Sequence, residues 1–154
     1  MTDSIDIFIP TETEMLDLSY RLGQVCPKGM IIYLEGELGA GKTNFARGLL
    51  RGLGYQGFVK SPTYTLVEVY SLQSSTAVHM DLYRIGHEEE LYYLGITDYL
   101  NKNTIFLIEW PEKAIKILPP ATLQCQFKRM EEGRHIHFIS FSKDSSEWLK
   151  KILN

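Results

Sequence analysis

The sequence has no long hydrophobic segment: no apolar run approaches the roughly 20 residues that a membrane-crossing helix needs. It also lacks the basic and then apolar start of a signal peptide, because residues 1–6 are polar or acidic apart from Met1 and Ile5. These two absences argue against membrane-bound and secreted classes. We therefore expect a cytoplasmic protein without a membrane partner.

Cysteine and positive charge are also scarce. Cys26 and Cys125 form no C-x-x-C pair, which predicts reduced thiols in a reducing compartment. The formal net charge is −3, so the chain has no excess of basic residues for a sequence-independent grip on nucleic acid. What remains is ordinary: 154 residues with 44% hydrophobic and 23% charged side chains predict one globular domain, residues 1–154, with its own core.

The most informative segment is GELGAGKT at residues 36–43, which fits the phosphate-binding pattern G-x-x-x-x-G-K-[ST]. Its glycines, Gly36, Gly39 and Gly41, permit the positive φ angles at which successive backbone N–H groups turn toward one anion. The helix expected to follow would direct its N-terminal dipole at the same anion. The segment therefore predicts a nucleotide phosphate site.

The neighbours of this loop have the pattern that the motif requires. An apolar, β-rich run at residues 30–34 precedes it, and apolar residues at helical spacing follow over residues 44–53. Within the motif, Lys42 supplies positive charge for the β- and γ-phosphates, and Thr43 supplies a hydroxyl for Mg²⁺. Strand, loop and helix thus follow in the expected order.

Two later apolar segments each end in an acidic residue. Residues 76–84 carry Asp81 near the end of a predicted strand, and residues 104–110 carry Glu109 in the same position. Open α/β sheets bind their ligands beyond the carboxyl ends of the strands, so both acids are candidates for Mg²⁺ or water. The positions at the strand ends do not determine which acid binds Mg²⁺ and which contacts water.

The remaining pattern predicts an α/β protein with a C-terminal β-hairpin. Thr11 and Glu14 have the spacing of a capping box at the start of a helix. The other predicted elements are an edge strand through Ile5, Ile7 and Ile9, a first helix with Met15, Leu18, Leu22 and Val25 on its buried face, a strand at 66–70, helical stretches at 88–96 and 111–118, hairpin strands at 123–130 and 135–141, and a helix at 145–153.

The polar segment at residues 60–65 has two interpretations. It is either the lead-in to the strand that follows, or a switch segment whose hydroxyl groups meet a γ-phosphate, its Mg²⁺ or the attacking water. Its sequence, KSPTYT, is rich in hydroxyls and is restricted by Pro62. Residue patterns do not decide between the two.

Several classes of phosphate-loop protein are less well supported than an ATPase that acts on a protein partner. A GTPase would need N-K-x-D, but residues 101–104 read NKNT, and Arg84 stands where D-x-x-G would place glycine after Asp81. A small-molecule kinase would need a second pocket and an arginine-rich lid, for which the chain has little room. A nucleotide-gated binding module with negligible hydrolysis would use the same residues. A purely structural protein would leave the loop unexplained.

Four ordered blocks resemble the TsaE (YjeE) family of bacterial ATPases: GELGAGKT at 36–43, KSPTYTLV at 60–67, HMDLYR at 79–84 and IEW at 108–110. The resemblance implies a small three-layer P-loop NTPase-like fold with a largely parallel central sheet. It implies ATP hydrolysis in support of threonylcarbamoyladenosine (t6A) formation, beside the anticodon of tRNA. It further implies docking on the TsaD–TsaB pair, with tRNA reached through that complex.

The resemblance also implies roles for individual residues. Thr43 and Glu109 match Mg²⁺ ligands, and Asp81 matches an acid needed for turnover. Asn44 stands where a threonine is expected, which keeps hydrogen-bonding capacity. The residues that match phosphate contacts are Gly39, Ala40, Gly41, Lys42, Thr43 and Asn44.

Other matched positions surround the predicted phosphate site. Glu12, Gly133 and Arg134 match positions that border the base and ribose. The switch and partner-sensing positions are Ser61, Pro62, Thr63, Tyr64 and Trp110. No arginine finger can be named from the sequence, so we expect slow turnover by the protein alone and a partner that supplies or orders the missing group.

Overall fold

The computed structural model describes residues 2–153; Met1, part of the start examined for a signal peptide, lies outside this range. The strands are β1 (Asp3–Ile9), β2 (Ile31–Glu35), β3 (Val67–Ser71), β4 (Thr76–Asp81), β5 (Thr104–Glu109), β6 (Leu123–Arg129) and β7 (Arg134–Ser140). The α-helices are α1 (Glu12–Gln24), α2 (Lys42–Gly52), α3 (Glu90–Tyr93) and α4 (Lys143–Leu153), and 3₁₀ turns span Ile96–Tyr99 and Pro111–Ala114.

The strands form one seven-stranded sheet in the order β1-β7-β6-β2-β5-β4-β3. Its central strands β6, β2, β5 and β4 run parallel, while β7, β1 and β3 pair antiparallel at the edges. This confirms the predicted largely parallel centre and the C-terminal hairpin. Because parallel strands end at the same edge, the register pairs Asp81 of β4 with Glu109 of β5.

Hydrophobic cores cover both faces of the central strands, which confirms the three-layer architecture. On one face, α1, α2 and α4 pack on the sheet, and the buried Trp148 indole donates a hydrogen bond to the Leu22 carbonyl at 2.9 Å. On the other face, short helical turns contribute Leu91 and Ile96 to a second core. All of β5 is buried, as expected for a strand covered on both faces.

The helical turns of the second layer are shorter than predicted. The stretch expected at residues 88–96 is a four-residue helix and a 3₁₀ turn, interrupted by Gly95 at φ 74°. The stretch expected at 111–118 is helical only over Pro111–Ala114, in a segment that prolines 119 and 120 limit. Gly95 interrupts the first segment, and in the second the chain continues as turns through Leu118, whose N–H donates to the Ala114 carbonyl.

The first helix begins as predicted but ends earlier than its apolar spacing suggests. The Thr11 hydroxyl accepts a hydrogen bond from the Glu14 N–H at 3.1 Å and caps the helix. Val25, predicted on the buried face, is 45% exposed because the helix ends at Gln24 and the chain turns away at φ −125°.

Glycines allow α1 and α2 to pack in close contact. A Cβ atom at Gly48 would collide with the Ser19 hydroxyl, and one at Gly52 would collide with the Tyr20 carbonyl oxygen. Glycine is less favourable than alanine within a helix by roughly 1 kcal/mol, but at these positions it permits the two helices to approach closely. Within residues 2–153, no helix combines the length and apolar character that a membrane crossing requires.

Candidate functional site

The glycine loop at residues 36–41 connects β2 to α2 at the carboxyl end of the sheet. Gly36, Gly39 and Gly41 have φ angles of 143°, 78° and 105°, in agreement with the positive φ predicted for each. A Cβ atom at Gly36 would also meet the Phe127 carbonyl oxygen. The loop therefore needs glycine for backbone conformation and, at Gly36, for space.

A cavity of about 470 Å³ opens beside this loop, within the size range of small-molecule sites. We call its two sides the hairpin side, formed by Ile9, Pro10, Glu12, Gly133 and Arg134, and the acid side, formed by Thr63, Asp81, Arg84, Glu109 and Trp110. The loop and the start of α2 contribute Gly39, Gly41, Lys42, Thr43 and Asn44. Residues far apart in sequence thus meet at one cavity.

Four of the predicted site residues are not among those that line this cavity: Ala40, Ser61, Pro62 and Tyr64. Ala40 is fully buried, and its N–H donates to the Glu37 carbonyl at 3.2 Å. Ser61 contacts Thr63 through their hydroxyl oxygens at 2.8 Å. Tyr64 is 80% exposed. The segment at 60–66 therefore reaches the cavity through Thr63.

Thr43, at the start of α2, contacts Glu109 on the acid side. The Thr43 hydroxyl donates to the Glu109 carboxylate at 3.0 Å, and Glu109 is almost completely buried. Residues 2–153 contain no cluster of three or more His, Cys, Asp or Glu suited to a metal ion. A hydroxyl and one carboxylate nevertheless fit Mg²⁺, which prefers oxygen ligands and takes few from the protein when it also binds phosphates.

His79 is a residue of this site that sequence reasoning missed. Its Nε2 lies 2.7 Å from Glu109 Oε2, the imidazole is 1% exposed, and its Nδ1 has no hydrogen-bond partner in the structure. The signal that could have found it is the two-residue strand period, which puts His79 on the same face of β4 as Asp81. His79 thereby restrains the carboxylate that contacts Thr43.

Asp81 has a different set of partners from Glu109. One carboxylate oxygen accepts from the Tyr83 N–H at 3.1 Å, and the other lies 3.5 Å from the Thr63 hydroxyl, at the limit of a hydrogen bond. Burial, and then repulsion by the nearby Glu109 carboxylate, raise the pKa of Asp81. Glu109, and not Asp81, is therefore the acid that contacts Thr43.

Lys42 lines the cavity and is largely buried. Its ammonium donates to the Gly36 carbonyl and lies 3.8 Å from the centroid of the Trp110 ring. Burial lowers the pKa of Lys42, against the opposing effect of the Glu109 and Asp81 carboxylates. Trp110 has a left-handed backbone at φ 59°, which is strained for a bulky residue.

The hairpin side brings together residues that are remote in sequence. The Asn44 amide donates to the Glu12 carboxylate at 3.5 Å, and Arg134 donates to the Gly133 carbonyl at 2.8 Å. Gly133 has φ 85°, and a Cβ atom there would meet the Ile9 carbonyl oxygen. The turn of the hairpin therefore sits directly against the end of β1.

These elements define a P-loop protein: a parallel strand, a glycine loop and a helix, with acids at the ends of two neighbouring strands. The family model described as "Threonylcarbamoyl adenosine biosynthesis protein TsaE" matches residues 9–136. The chain belongs to this TsaE family, which confirms the resemblance found in the sequence.

Individual relatives agree with this membership. The tRNA threonylcarbamoyladenosine biosynthesis protein TsaE of Haemophilus influenzae is 43% identical over 143 residues, which cover 90% of each chain. The protein of the same name from Bacillus subtilis is 39% identical over 113 residues, which cover 73% of this chain and 70% of the relative. The crystal structure of Bacillus subtilis YdiB matches with a TM-score of 0.81 and 25% identity, covering 99% of this chain and 95% of that one.

Proposed function

We propose that this protein is a Mg²⁺-dependent ATPase that supports tRNA t6A formation through the TsaD–TsaB complex. The observation that carries the proposal is the 3.0 Å contact between the Thr43 hydroxyl and Glu109 at the end of the glycine loop. P-loop ATPases hold their metal ion with a loop Ser or Thr and a strand-end acid. The names of the relatives support the pathway.

In this proposal the loop and the N-terminus of α2 bind the phosphates through backbone N–H groups. Thr43 and Glu109 would hold Mg²⁺, which supplies positive charge to the β- and γ-phosphate oxygens. His79 keeps the Glu109 carboxylate oriented through the 2.7 Å contact. Asp81 accepts a hydrogen bond from the attacking water and so orients it toward the γ-phosphorus.

Lys42 must change partners to take part. Its ammonium can neutralise charge on the γ-phosphoryl oxygens only after it leaves the Gly36 carbonyl and the Trp110 ring. Trp110 is therefore well placed to sense both the nucleotide and a partner.

The hairpin side is proposed to border the base and ribose through Glu12, Asn44, Gly133 and Arg134. ATP is favoured over GTP because residues 101–103 precede β5, at the end of the sheet opposite the cavity, and cannot read a guanine there. Partner-dependent action is favoured over a kinase because a chain of 154 residues leaves little room for a second substrate pocket and an arginine-rich lid.

The test is Mg²⁺-dependent ATP hydrolysis by the purified protein, alone and with the TsaD–TsaB pair. We expect slow hydrolysis that the pair stimulates, and a loss of about 100-fold or more in Lys42→Ala, as when one preorganised electrostatic group is removed. Lys143→Ala is the matched control, because Lys143 is an exposed lysine of α4 outside the cavity.

Each other outcome points to a different function. Near-normal hydrolysis by Lys42→Ala would contradict the ATPase assignment. ATP binding without hydrolysis in either condition would favour the nucleotide-gated binding module. Efficient phosphate transfer to a small metabolite would favour the kinase.

A further inference from the structure

Arg84 lies on the acid side of the cavity and differs from the other cations there in its polar contacts. Within residues 2–153 it makes no ion pair and no hydrogen bond; instead its guanidinium carbon lies 4.8 Å from the centroid of the exposed Tyr64 ring. The two other cations of the cavity are engaged, since Lys42 donates to Gly36 and Arg134 donates to Gly133. Arg84 is thus the cavity cation whose five donors all remain free.

The Arg84–Tyr64 pair is connected on both sides to Asp81. Tyr83, the neighbour of Arg84, donates its N–H to one Asp81 oxygen at 3.1 Å. Thr63, the neighbour of Tyr64, lies 3.5 Å from the other oxygen through its hydroxyl. The arginine and the aromatic ring are therefore held next to the acid that we propose orients water.

The segment that carries Tyr64 contains an unfavourable backbone conformation that hydrogen bonds to neighbouring residues stabilise. Leu66 has φ 69°, a left-handed conformation that is strained for leucine. Its N–H donates to the Pro62 carbonyl at 2.8 Å, and its carbonyl accepts from the Asp81 N–H at 2.9 Å. Although Pro62 is buried and Leu66 packs against the second core, Tyr64 is 80% exposed, so a partner protein can contact its ring directly.

We propose that Arg84 is a built-in arginine finger, which Tyr64 holds away from the γ-phosphate until a partner protein engages Tyr64. The inference rests on the proposed ATPase function and deepens it by naming the group that the sequence could not supply. A planar guanidinium fork matches phosphate oxygens, and an aromatic face is a weaker partner for it than an anion. Triphosphate in the cavity therefore competes with Tyr64 for Arg84.

The proposed step is ordinary hydrolysis. The oxygen of water forms a bond to the γ-phosphorus, and the bond from this phosphorus to the β–γ bridging oxygen breaks. The electron pair stays on ADP, and water gives up one proton to solvent. Negative charge on the γ-phosphoryl and bridging oxygens is what Arg84 neutralises in the transition state.

The experiment compares Tyr64→Leu, Arg84→Ala and the double variant in single-turnover ATP hydrolysis by the protein alone. Removal of the ring should raise the rate about 10-fold, a small part of the 10³ to 10⁵ that arginine fingers contribute. Arg84→Ala should lower the rate by at least about 10-fold and should abolish the gain of Tyr64→Leu in the double variant. Tyr64→Phe keeps a ring face and should give a smaller rise than Tyr64→Leu.

A second readout separates a transition-state role from a structural one. Aluminium fluoride should tighten Mg²⁺–ADP binding in the wild type and fail to do so in Arg84→Ala, while affinity for ADP alone changes less than about 3-fold, because the finger acts on the transferred group. Arg21→Ala, which removes an exposed arginine paired with Asp17, should match the wild type in both assays.

Two results would overturn the inference: a double variant as fast as Tyr64→Leu, or aluminium fluoride tightening in Arg84→Ala equal to the wild type. In both cases the wild type still hydrolyses ATP, so the proposed function survives. If the wild type neither binds nor hydrolyses ATP, the proposed function fails and this inference fails with it.

Discussion

The hairpin side of the cavity is formed by the ends of regular elements, whereas the acid side is formed largely by connecting segments. On the hairpin side, β1 pairs with β7 along its whole length, and the turn before Arg134 packs against Ile9. Trp110 on the acid side, and Leu66 in the segment that brings Thr63 to this side, are the non-glycine residues with positive φ in the described chain. The hairpin side is held by continuous backbone pairing, whereas the acid side combines two strand ends with connecting segments held by isolated hydrogen bonds.

This difference indicates that the two sides of the cavity have different functions. A site that must recognise a nucleotide benefits from a rigid wall, and a site that must respond to a partner needs contacts that can be exchanged. Changes on the acid side should therefore affect turnover, and changes on the hairpin side should affect nucleotide affinity or stability.

The largest effect is expected on the acid side, from Asp81→Asn. Loss of the carboxylate that we propose orients water should lower turnover by about 100-fold, within the range for a general acid–base group. Affinity for Mg²⁺–ADP should change little. Single-turnover hydrolysis and ADP titration check this, and equal losses in both would show that the acid side does not specialise in turnover.

The same variant should be more stable than the wild type at neutral pH. Burial and Glu109 raise the pKa of Asp81 in the folded protein, so the folded state holds this proton after the unfolded state has lost it. The free energy of unfolding therefore decreases as pH rises through this interval, and asparagine removes the decrease. Thermal unfolding of the nucleotide-free protein should give a higher Tm for Asp81→Asn at pH 7, with the difference shrinking toward acidic pH.

A tenfold effect is expected where His79 restrains Glu109. His79→Leu removes the partner of a buried carboxylate and should weaken apparent Mg²⁺ affinity by about 10-fold, as is typical when a partner of a metal ligand is lost. His79→Gln retains a donor and should lose less. Magnesium titrations of ATP binding measure this, and identical requirements in all three proteins would contradict a positioning role.

A smaller effect is expected on the hairpin side, from Arg134→Ala. Removal of this guanidinium should weaken ATP binding by about 5-fold, equivalent to one hydrogen bond of about 1 kcal/mol. Turnover at saturating ATP should change much less. Lys128→Ala is the control, because this exposed lysine of the neighbouring strand does not line the cavity. A turnover defect larger than the affinity defect would contradict the division between the sides.

The smallest effect is expected from Thr11→Ala, at the start of the helix that carries Glu12. Loss of the 3.1 Å cap to the Glu14 N–H should cost about 1 kcal/mol. For a chain of this size that corresponds to a decrease of about 2–4 °C in Tm. Thermal unfolding measures this decrease. An unchanged Tm would show that the pairing of β1 alone stabilises the hairpin side.

The parts of the site that could be predicted from sequence are those that follow from order along the chain. The strand, loop and helix around residues 36–43 were predictable because each signal is local. The meeting of Asp81 and Glu109 was predictable because parallel strands end at one edge. The strand period could place His79 on the face of Asp81, but its contact with Glu109, and that of Arg84 with Tyr64, depend on which strands are neighbours and how loops fold over them.

The close contact of α1 and α2 was unpredictable for a related reason. Within a helix, glycine indicates only weak helical propensity, and nothing local identifies the partner that its missing side chain admits. Val25 shows the reverse case, in which a residue continues an apolar spacing beyond the end of its helix. Apolar spacing predicts which face of a helix is buried, whereas the capping residues determine where the helix ends and therefore how long that face is.

The glycines between α1 and α2 also limit how this protein can evolve. Glycine is the smallest residue, so every amino-acid substitution at Gly48 or Gly52 adds atoms where the Ser19 hydroxyl or the Tyr20 carbonyl already lies. No compensating change can shrink a carbonyl of the main chain, so an accepted substitution at Gly52 requires the helices to separate. Since Gly52 is the last residue of α2 and Lys42 is the first, such a separation would loosen the helix pair at the end opposite the cavity.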